Sequence, residues 1–125
     1  MFREFTEERL NWWKSLSQEE KDKCISEYTI CIAADIDIEI GNNSEVFEKH
    51  SYYKITGYTN KLHNEIDIMK IGIDEIQFYI NLGRESQIVN VKVNEEKIIT
   101  YGVGVYSKYI KFKVNNIYYG EMLEL

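Results

Sequence analysis

Alternating apolar residues between positions 30 and 40 constrain the fold more than any other feature of the sequence. The apolar positions of this run are Ile30, Ile32, Ala34, Ile36, Ile38 and Ile40. Successive side chains of a β-strand point to opposite faces, so the run predicts a strand with one buried face. Isoleucine also favours strands, because it is branched at the β-carbon. The start of this strand is left open, since residues 29–34 fit a helix end as well as a strand start.

Two helices are predicted before this strand. Thr6 has the position of an N-cap for a helix over residues 6–16. Ser17 and Glu20 have the spacing of a capping box, in which each residue satisfies a backbone N–H of the other, and they predict the start of a second helix. Both helices precede the alternating run, so the chain changes from helix to strand near residue 29.

The first helix carries two adjacent tryptophans, Trp12 and Trp13. Neighbouring residues on a helix point in directions about 100° apart, so the two rings cannot enter the same groove. We expect one tryptophan to anchor the helix on the core. The other should lie at the edge of the helix or in an interface.

The rest of the chain predicts a meander of strands. The expected spans are a single helical turn at 45–50 and strands at 52–59, 65–71, 75–82, 87–93, 97–106, 108–114 and 117–124. Short polar turns separate them, which favours antiparallel neighbours. Asn115 and Asn116 are predicted to form a hairpin turn that pairs Phe112 with Tyr119. Gly102 and Gly104 are expected on the outer face of one strand, where glycine allows a sheet to curve.

Together these patterns predict one α+β domain. Residues 1–28 form its helical N-terminal segment, and residues 29–125 form its strand-rich remainder. We expect the two helices to pack on a curved, mainly antiparallel sheet, with a half-barrel or barrel as an alternative. A chain of 125 residues fits one domain but not two, because each half would bury too little apolar surface.

The formal net charge of −6 is concentrated in the first part of the chain. Residues 1–50 hold 12 acidic and 6 basic side chains, whereas residues 51–125 hold 9 of each. An acidic protein is repelled by nucleic acid and by anionic membranes, and is attracted to basic surfaces. The charge therefore argues against nucleic acid as a partner and favours the basic surface of another protein.

The sequence also predicts a cytoplasmic location and no membrane partner. The N-terminus lacks the apolar core of a signal peptide, and no apolar run approaches the roughly 20 residues that span a bilayer. Cys24 and Cys31 form neither a metal-binding pair nor a disulfide framework, so we expect buried thiols.

An acidic strand is the main candidate for chemistry. Asp35, Asp37 and Glu39 would face the same side of the first strand, and with Asp67 two of them could bind a divalent metal ion. The pattern resembles the strand-borne D-x-D of nucleotidyltransferases, although the Gly-Ser turn that precedes it in that family is missing. His50 lies in a predicted turn, without a nucleophile motif beside it.

His63, the other histidine, also lies in a predicted turn and is expected at the surface. No sequence motif indicates a phosphate-binding loop, a dinucleotide site or a zinc protease. We therefore assign no catalytic residue and no cofactor from the sequence.

Three functions remain as hypotheses. The leading one is a small acidic, non-catalytic protein-binding module, such as a bacterial or phage inhibitor, immunity protein or antitoxin. The alternatives are a carrier with a small-ligand pocket inside the curved sheet, and a metal-dependent enzyme that uses the acidic strand. The partner-binding residues expected under the leading hypothesis are Glu7, Glu8, Trp12, Trp13, Glu19, Glu20, Asp35, Asp37 and Glu39.

Overall fold

The computed structural model of the protein describes residues 2–27, 30–52 and 61–122. Two N-terminal helices, α1 (Glu7–Ser15) and α2 (Gln18–Glu27), precede nearly all of the strands. This arrangement confirms the α+β class and the N-terminal position of the helices. Within the described ranges, neither helix is both long enough and apolar enough to span a membrane.

The strands form two mainly antiparallel sheets. In chain order they are β1 (Phe2–Glu4), β2 (Ile30–Gly41), β3 (Val46–Tyr52), β4 (Lys61–His63), β5 (Ile66–Ile71), β6 (Glu75–Asn81), β7 (Ser86–Lys92), β8 (Glu96–Tyr101) and β9 (Lys108–Met122). The first sheet has the order β1-β9-β2-β3 with β8 also paired to β9, and the second has the order β4-β5-β6-β7. Across the described residues each sheet keeps free edges, so the strands do not close into a barrel.

The start of strand β2 shows where the helical segment ends and the sheet begins. Its first residue is Ile30, so the described part of residues 29–34 is strand and not helix. Ile36 and Ile38 are buried in the core, whereas Asp37 between them is exposed. The predicted alternation is therefore confirmed, and the acidic side chains of β2 point away from the core.

The predicted hairpin at Asn115 and Asn116 is wrong, because residues 108–122 form one continuous strand. β2 pairs with β9 along its whole length, from Ile30 opposite Glu121 to Gly41 opposite Tyr109. A partner strand this long keeps β9 extended where a short partner would allow a turn. The two asparagines instead mark a shift in register, where Asn115 is the extra residue of a β-bulge.

Two other expectations from the sequence are revised, and a third falls outside the described residues. Residues 46–52 form strand β3 and not a helical turn at 45–50. The strand predicted at 97–106 ends at Tyr101, and Gly102 and Gly104 adopt positive φ angles of 88° and 60° in the turn that follows. The strand predicted at 52–59 lies outside the described residues except for Tyr52.

The core lies between the two sheets and is closed at one end by α1. The ring centroids of Phe78 in β6 and Phe112 in β9 are 4.8 Å apart, so the sheets pack directly on each other. Trp13 is only 1% exposed and lies 5.4 Å from the ring of Tyr119, whereas Trp12 is 36% exposed. Trp13 is therefore the anchor of the first helix.

The cysteines meet the expectation of burial only in part. Cys31 is buried in β2, and Cys24 in α2 is half-buried. Both are thiols. The Cys24 side chain packs partly against the core.

Candidate functional site

The acidic side chains of β2 lie on the outer face of the first sheet, which is the face turned away from the core. Asp37 accepts hydrogen bonds from Ser51 Oγ at 2.7 Å and from Asn115 Nδ2 at 2.9 Å. Glu39 accepts a hydrogen bond from the Tyr109 hydroxyl at 2.8 Å. Asp35 lies 3.4 Å from the Tyr118 hydroxyl. These carboxylates are held by neighbouring strands.

Lysines from neighbouring strands interleave with this acidic row. In the register between β2 and β9, Asp37 lies opposite Lys113 and Glu39 lies opposite Lys111. Lys49 from β3 lies 3.5 Å from Glu39 on the other side. The charge that is separated along the sequence is therefore mixed in space, because the last strand brings its lysines against the acidic strand.

The mixed row lines an open groove of about 390 Å³ on the outer face. Its walls include the carboxylates of Asp37, Glu39 and Glu96 and the ammonium groups of Lys111 and Lys113. A groove with both signs of charge offers no strong field to an ion of either sign. Acidic and basic side chains are therefore mixed along the walls of this groove.

Hydrogen bonds favour the ionised form of two carboxylates in this row, Asp37 and Glu39. Those from Asn115 and then Ser51 lower the pKa of Asp37, with Lys113 adding a smaller effect against the opposing effect of burial. The Tyr109 hydroxyl likewise lowers the pKa of Glu39, and the same bond raises the pKa of Tyr109. Donors that bind the charged form stabilise it, so these carboxylates stay charged into mild acid.

Replacing Asn115 with alanine should raise the pKa of Asp37, because the variant loses the donor with the largest effect. A carboxylate with a lowered folded-state pKa stabilises the fold above the pKa of the unfolded chain, and this stability is lost as the pH falls through the lowered value. We therefore expect the wild-type protein to lose stability below about pH 4, with a shallower loss in Asn115→Ala. NMR titration of the Asp37 carboxyl and urea unfolding against pH measure the two effects; an unchanged Asp37 titration would contradict the assignment.

The metal site predicted from Asp35, Asp37 and Asp67 does not form. Asp67 lies on β5 in the second sheet, opposite Tyr79, while Asp35 and Asp37 lie on the outer face of the first sheet. Among residues 2–27, 30–52 and 61–122, the one group of three or more potential ligands with donor atoms within 4.8 Å does not include these aspartates.

The residues that do converge are Glu48, His50 and His63, which we call the edge cluster. His50 lies on β3 and His63 on β4, so the prediction that both histidines lie in turns is wrong. Their ring centroids are 4.5 Å apart. Because β3 and β4 are edge strands of different sheets, the edge cluster joins the two sheets at one side of the core.

Two tyrosines adjoin the edge cluster. The Tyr52 ring lies 6.3 Å from the His50 ring, and burial raises the pKa of Tyr52 with a further contribution from Glu48. Burial also raises the pKa of Tyr101, followed by the charges of Glu65 and Glu48. The edge cluster therefore lies beside two partly buried tyrosines, and within the cluster His63 is the most shielded residue and Glu48 the most exposed.

The helical residues that were expected to bind a partner have different roles in the structure. Trp13 is buried and therefore lies outside any surface that a partner could touch. The guanidinium of Arg9 stacks over Trp12 at 3.9 Å and pairs with Glu121 at 3.2 Å. Glu20 accepts from the Ser17 backbone N–H, which completes the predicted capping box.

The other helical glutamates that were predicted to bind a partner keep their side chains exposed to solvent. These are Glu7, Glu8 and Glu19. Glu7 and Glu8 lie in the first turn of α1, and Glu19 lies in the first turn of α2, where the helix dipole favours negative charge. The helix dipole alone explains why these glutamates occur at these positions. Their presence therefore does not by itself indicate a binding role.

A second exposed surface follows β8 and was missed by the sequence reasoning. Val103, Val105 and Tyr106 are 84%, 88% and 80% exposed. We call the segment from Gly102 to Ser107 the apolar loop. The expectation that Gly102 and Gly104 lie on the outer face of a strand implies that Val103 and Val105 point into the core. The strand instead ends before them, at Tyr101.

No family model, curated protein or solved structure matches this chain. Its function is therefore argued from geometry alone. Two features are not explained by the packing of the fold. They are the exposed apolar loop and the edge cluster.

Proposed function

We propose that this protein is a non-catalytic protein-binding module whose main contact surface is the apolar loop. The observation that carries the proposal is the near-complete exposure of Val103, Val105 and Tyr106 on one short segment. Scattered exposed apolar residues are ordinary, but adjacent ones mark surfaces that become buried in a complex. Tyrosine is also among the residues that contribute most to binding energy at interfaces.

The loop is built to display these side chains. Gly102 and Gly104 supply the positive φ angles, and backbone hydrogen bonds from Tyr106 to Val103 and from Ser107 to Gly104 close a short 3₁₀ turn. A side chain at Gly102 would approach the Tyr106 carbonyl oxygen to 2.6 Å. A pre-ordered turn loses less conformational entropy on binding, which favours affinity.

The surface around the loop extends toward the start of β3. The 42–45 turn faces Val105 across a groove of about 310 Å³, which is lined by Asn42, Asn43, Ser44, Gly104, Val105 and Ser107. Phe47 on β3 is also exposed and lies under the ammonium group of Lys108 at 5.9 Å. The apolar side chains with this polar rim have the composition of an interface centre and its border.

The proposed partner is a protein that offers an apolar pocket within a basic surface. The apolar loop would fill the pocket, and the net charge of −6 would steer the encounter over longer distances. Helix α1 lies near Tyr119 at the far end of β9 from the loop, so its acidic residues would contribute to steering and not to the central contact. The proposed partner has the basic surface that was expected from the sequence. The proposal adds an apolar pocket as the site of contact.

An inhibitor, immunity protein or antitoxin would act in this way, and we include this class and a cytoplasmic location in the proposal. The rings of Phe78 and Phe112 occupy the space between the sheets at their contact, which disfavours a ligand pocket of a carrier at that point. A carrier would have to bind its ligand elsewhere.

Replacing Val105 and Tyr106 together with serine should abolish capture of the partner. Loss of two central apolar contacts is expected to weaken binding by about 30-fold or more, since interface hot spots are worth about 2 kcal/mol or more. The measurement is affinity capture from a lysate of the producing organism, with the retained proteins quantified by mass spectrometry at low and high ionic strength.

The matched control is Ile88→Ser, which removes an exposed apolar side chain from β7 in the second sheet. Under the proposal this control captures the same protein as the wild type, and high salt slows the association of both. Equal capture by the double loop variant and the control would show that the apolar loop is not the contact surface.

A further inference from the structure

We propose that Glu48, His50 and His63 form a binding site for a divalent transition-metal ion of the zinc type. The site offers two imidazole nitrogens and one carboxylate oxygen. Imidazole nitrogen suits Zn²⁺, Co²⁺, Ni²⁺ and Cu²⁺, whereas Mg²⁺ and Ca²⁺ prefer sites made entirely of oxygen. Two histidines and one glutamate are also a ligand set that zinc uses with three protein ligands.

Each histidine lies close to a different oxygen of the Glu48 carboxylate, at nearly the separation found between the ligands of a tetrahedral ion. His50 Nε2 lies 3.4 Å from Glu48 Oε1, and His63 Nε2 lies 3.5 Å from Glu48 Oε2. Ligands held 2.0–2.1 Å from a tetrahedral zinc ion are separated from each other by about 3.3 Å. The donor atoms of all three residues lie within 4.8 Å of one another, so small side-chain rotations can bring them around one ion.

The same distances are long for strong hydrogen bonds. A charge-assisted N–H···O bond has its optimum at about 2.7–2.9 Å, which is at least about half an ångström shorter than either contact. The three groups therefore lie close together with only long contacts between them. An ion placed between them would provide the attraction that brings both histidines and the glutamate to one point.

The surroundings of the edge cluster would strengthen metal binding. The pKa values of Tyr52 and Tyr101 are raised chiefly by burial, so the cluster borders a region of reduced solvation. Charge interactions are stronger where water is partly excluded. His63 is also well shielded, with 15% of its side chain exposed.

The position of the site predicts what the ion would do for the fold. Glu48 and His50 come from β3 in the first sheet, and His63 comes from β4 in the second. An ion bound only by the folded protein would therefore link the two sheets at their edge and stabilise the fold by mass action. Three protein ligands leave a fourth coordination position for water or another group.

Calorimetric titration of the untagged full-length protein with Zn²⁺, in reducing buffer, tests the site. We expect one ion per chain, and we expect His50→Ala and His63→Ala each to weaken binding by at least about tenfold, the smallest loss seen for residues that merely support ligands. Glu48→Gln keeps the side-chain shape and should weaken binding as well. Asp37→Asn is the control, because its carboxylate lies on the outer face and should leave binding unchanged.

Two further measurements keep the test independent of folding defects. The protein has only two histidines, so both imidazole NMR signals should shift together when Zn²⁺ is added to the wild-type protein. Zn²⁺ should also raise the melting temperature of the wild type and of Asp37→Asn but not of His63→Ala. The proposal is overturned if no Zn²⁺ binds, or if the double variant His50→Ala/His63→Ala binds as tightly as the wild type, which would place the ion on the thiols or other groups.

The site does not depend on the proposed protein-binding function. The edge cluster lies on β3 and β4, whereas the apolar loop follows β8. Loss of partner capture in the loop variant should leave the zinc titration unchanged. Loss of zinc binding in the histidine variants should leave the exposed loop in place, so failure of either proposal is recognised separately.

Discussion

Trp13→Ala should lower the free energy of unfolding by about 3–5 kcal/mol, the usual cost of removing a large buried aromatic side chain. Trp13 is almost completely buried and contacts Phe5 and Tyr119 at ring-centroid distances of 6.1 and 5.4 Å. Alanine would leave a large cavity between α1 and the core. Because total stabilities of small domains are about 5–15 kcal/mol, this loss should be visible in urea unfolding of a still folded protein.

Trp12→Ala is the matched control for this prediction. The same residue type one position away is partly exposed and stacks with Arg9, a contact worth about 0.5–1 kcal/mol at an exposed site. We therefore expect a loss below about 1 kcal/mol in Trp12→Ala. If the two variants lost equal stability, α1 would not be anchored on the core through Trp13.

Elements specified by neighbouring residues could be predicted from the sequence. The Thr6 side chain caps α1 by accepting from the Arg9 backbone N–H, and Ser17 with Glu20 forms the predicted capping box. The alternation of β2 predicted its buried face in the same way. In each case, the residues that decide the structure lie within a few positions of one another.

The sequence pattern gave the wrong prediction where a strand that is distant along the chain determines the local structure. Asn115 and Asn116 have the residue types of a hairpin turn, but the length of β2 keeps β9 extended and turns the pair into a bulge. Gly102 and Gly104 fit a curved strand equally well in sequence. Their positive φ angles become evident only once the strand is seen to end at Tyr101.

The candidate functional surfaces were even harder to predict from the sequence, because they depend on tertiary structure. The acidity of the first part of the chain suggested an acidic face, but the register between β2 and β9 sets Lys111 and Lys113 against Glu39 and Asp37. The edge cluster joins residues from two strands in different sheets, and residue type alone gave no reason to pair His50 with His63. Periodicity describes which face of a strand is buried but not which strands meet.

The packing of the two sheets predicts the second large effect, in Phe112→Ala. Phe112 is fully buried, and its ring centroid lies 4.8 Å from that of Phe78 in the opposite sheet. Truncation should cost about 3–5 kcal/mol, because the cavity would lie at the contact between the sheets where neither can collapse without moving the other. Phe47→Ala is the control, since this phenylalanine lies exposed on the outer face and should cost less than about 1 kcal/mol.

A double-mutant cycle tests whether the two buried rings stabilise each other. Phe78→Leu and Phe112→Leu keep most of the core volume, so each should cost no more than about 1.5 kcal/mol and leave the double variant folded. If the rings interact directly, the double variant should lose less stability than the sum of the single losses, by about 0.5–1.5 kcal/mol. Strictly additive losses would mean that the sheets are held together by burial alone and that this aromatic pair has no separate role.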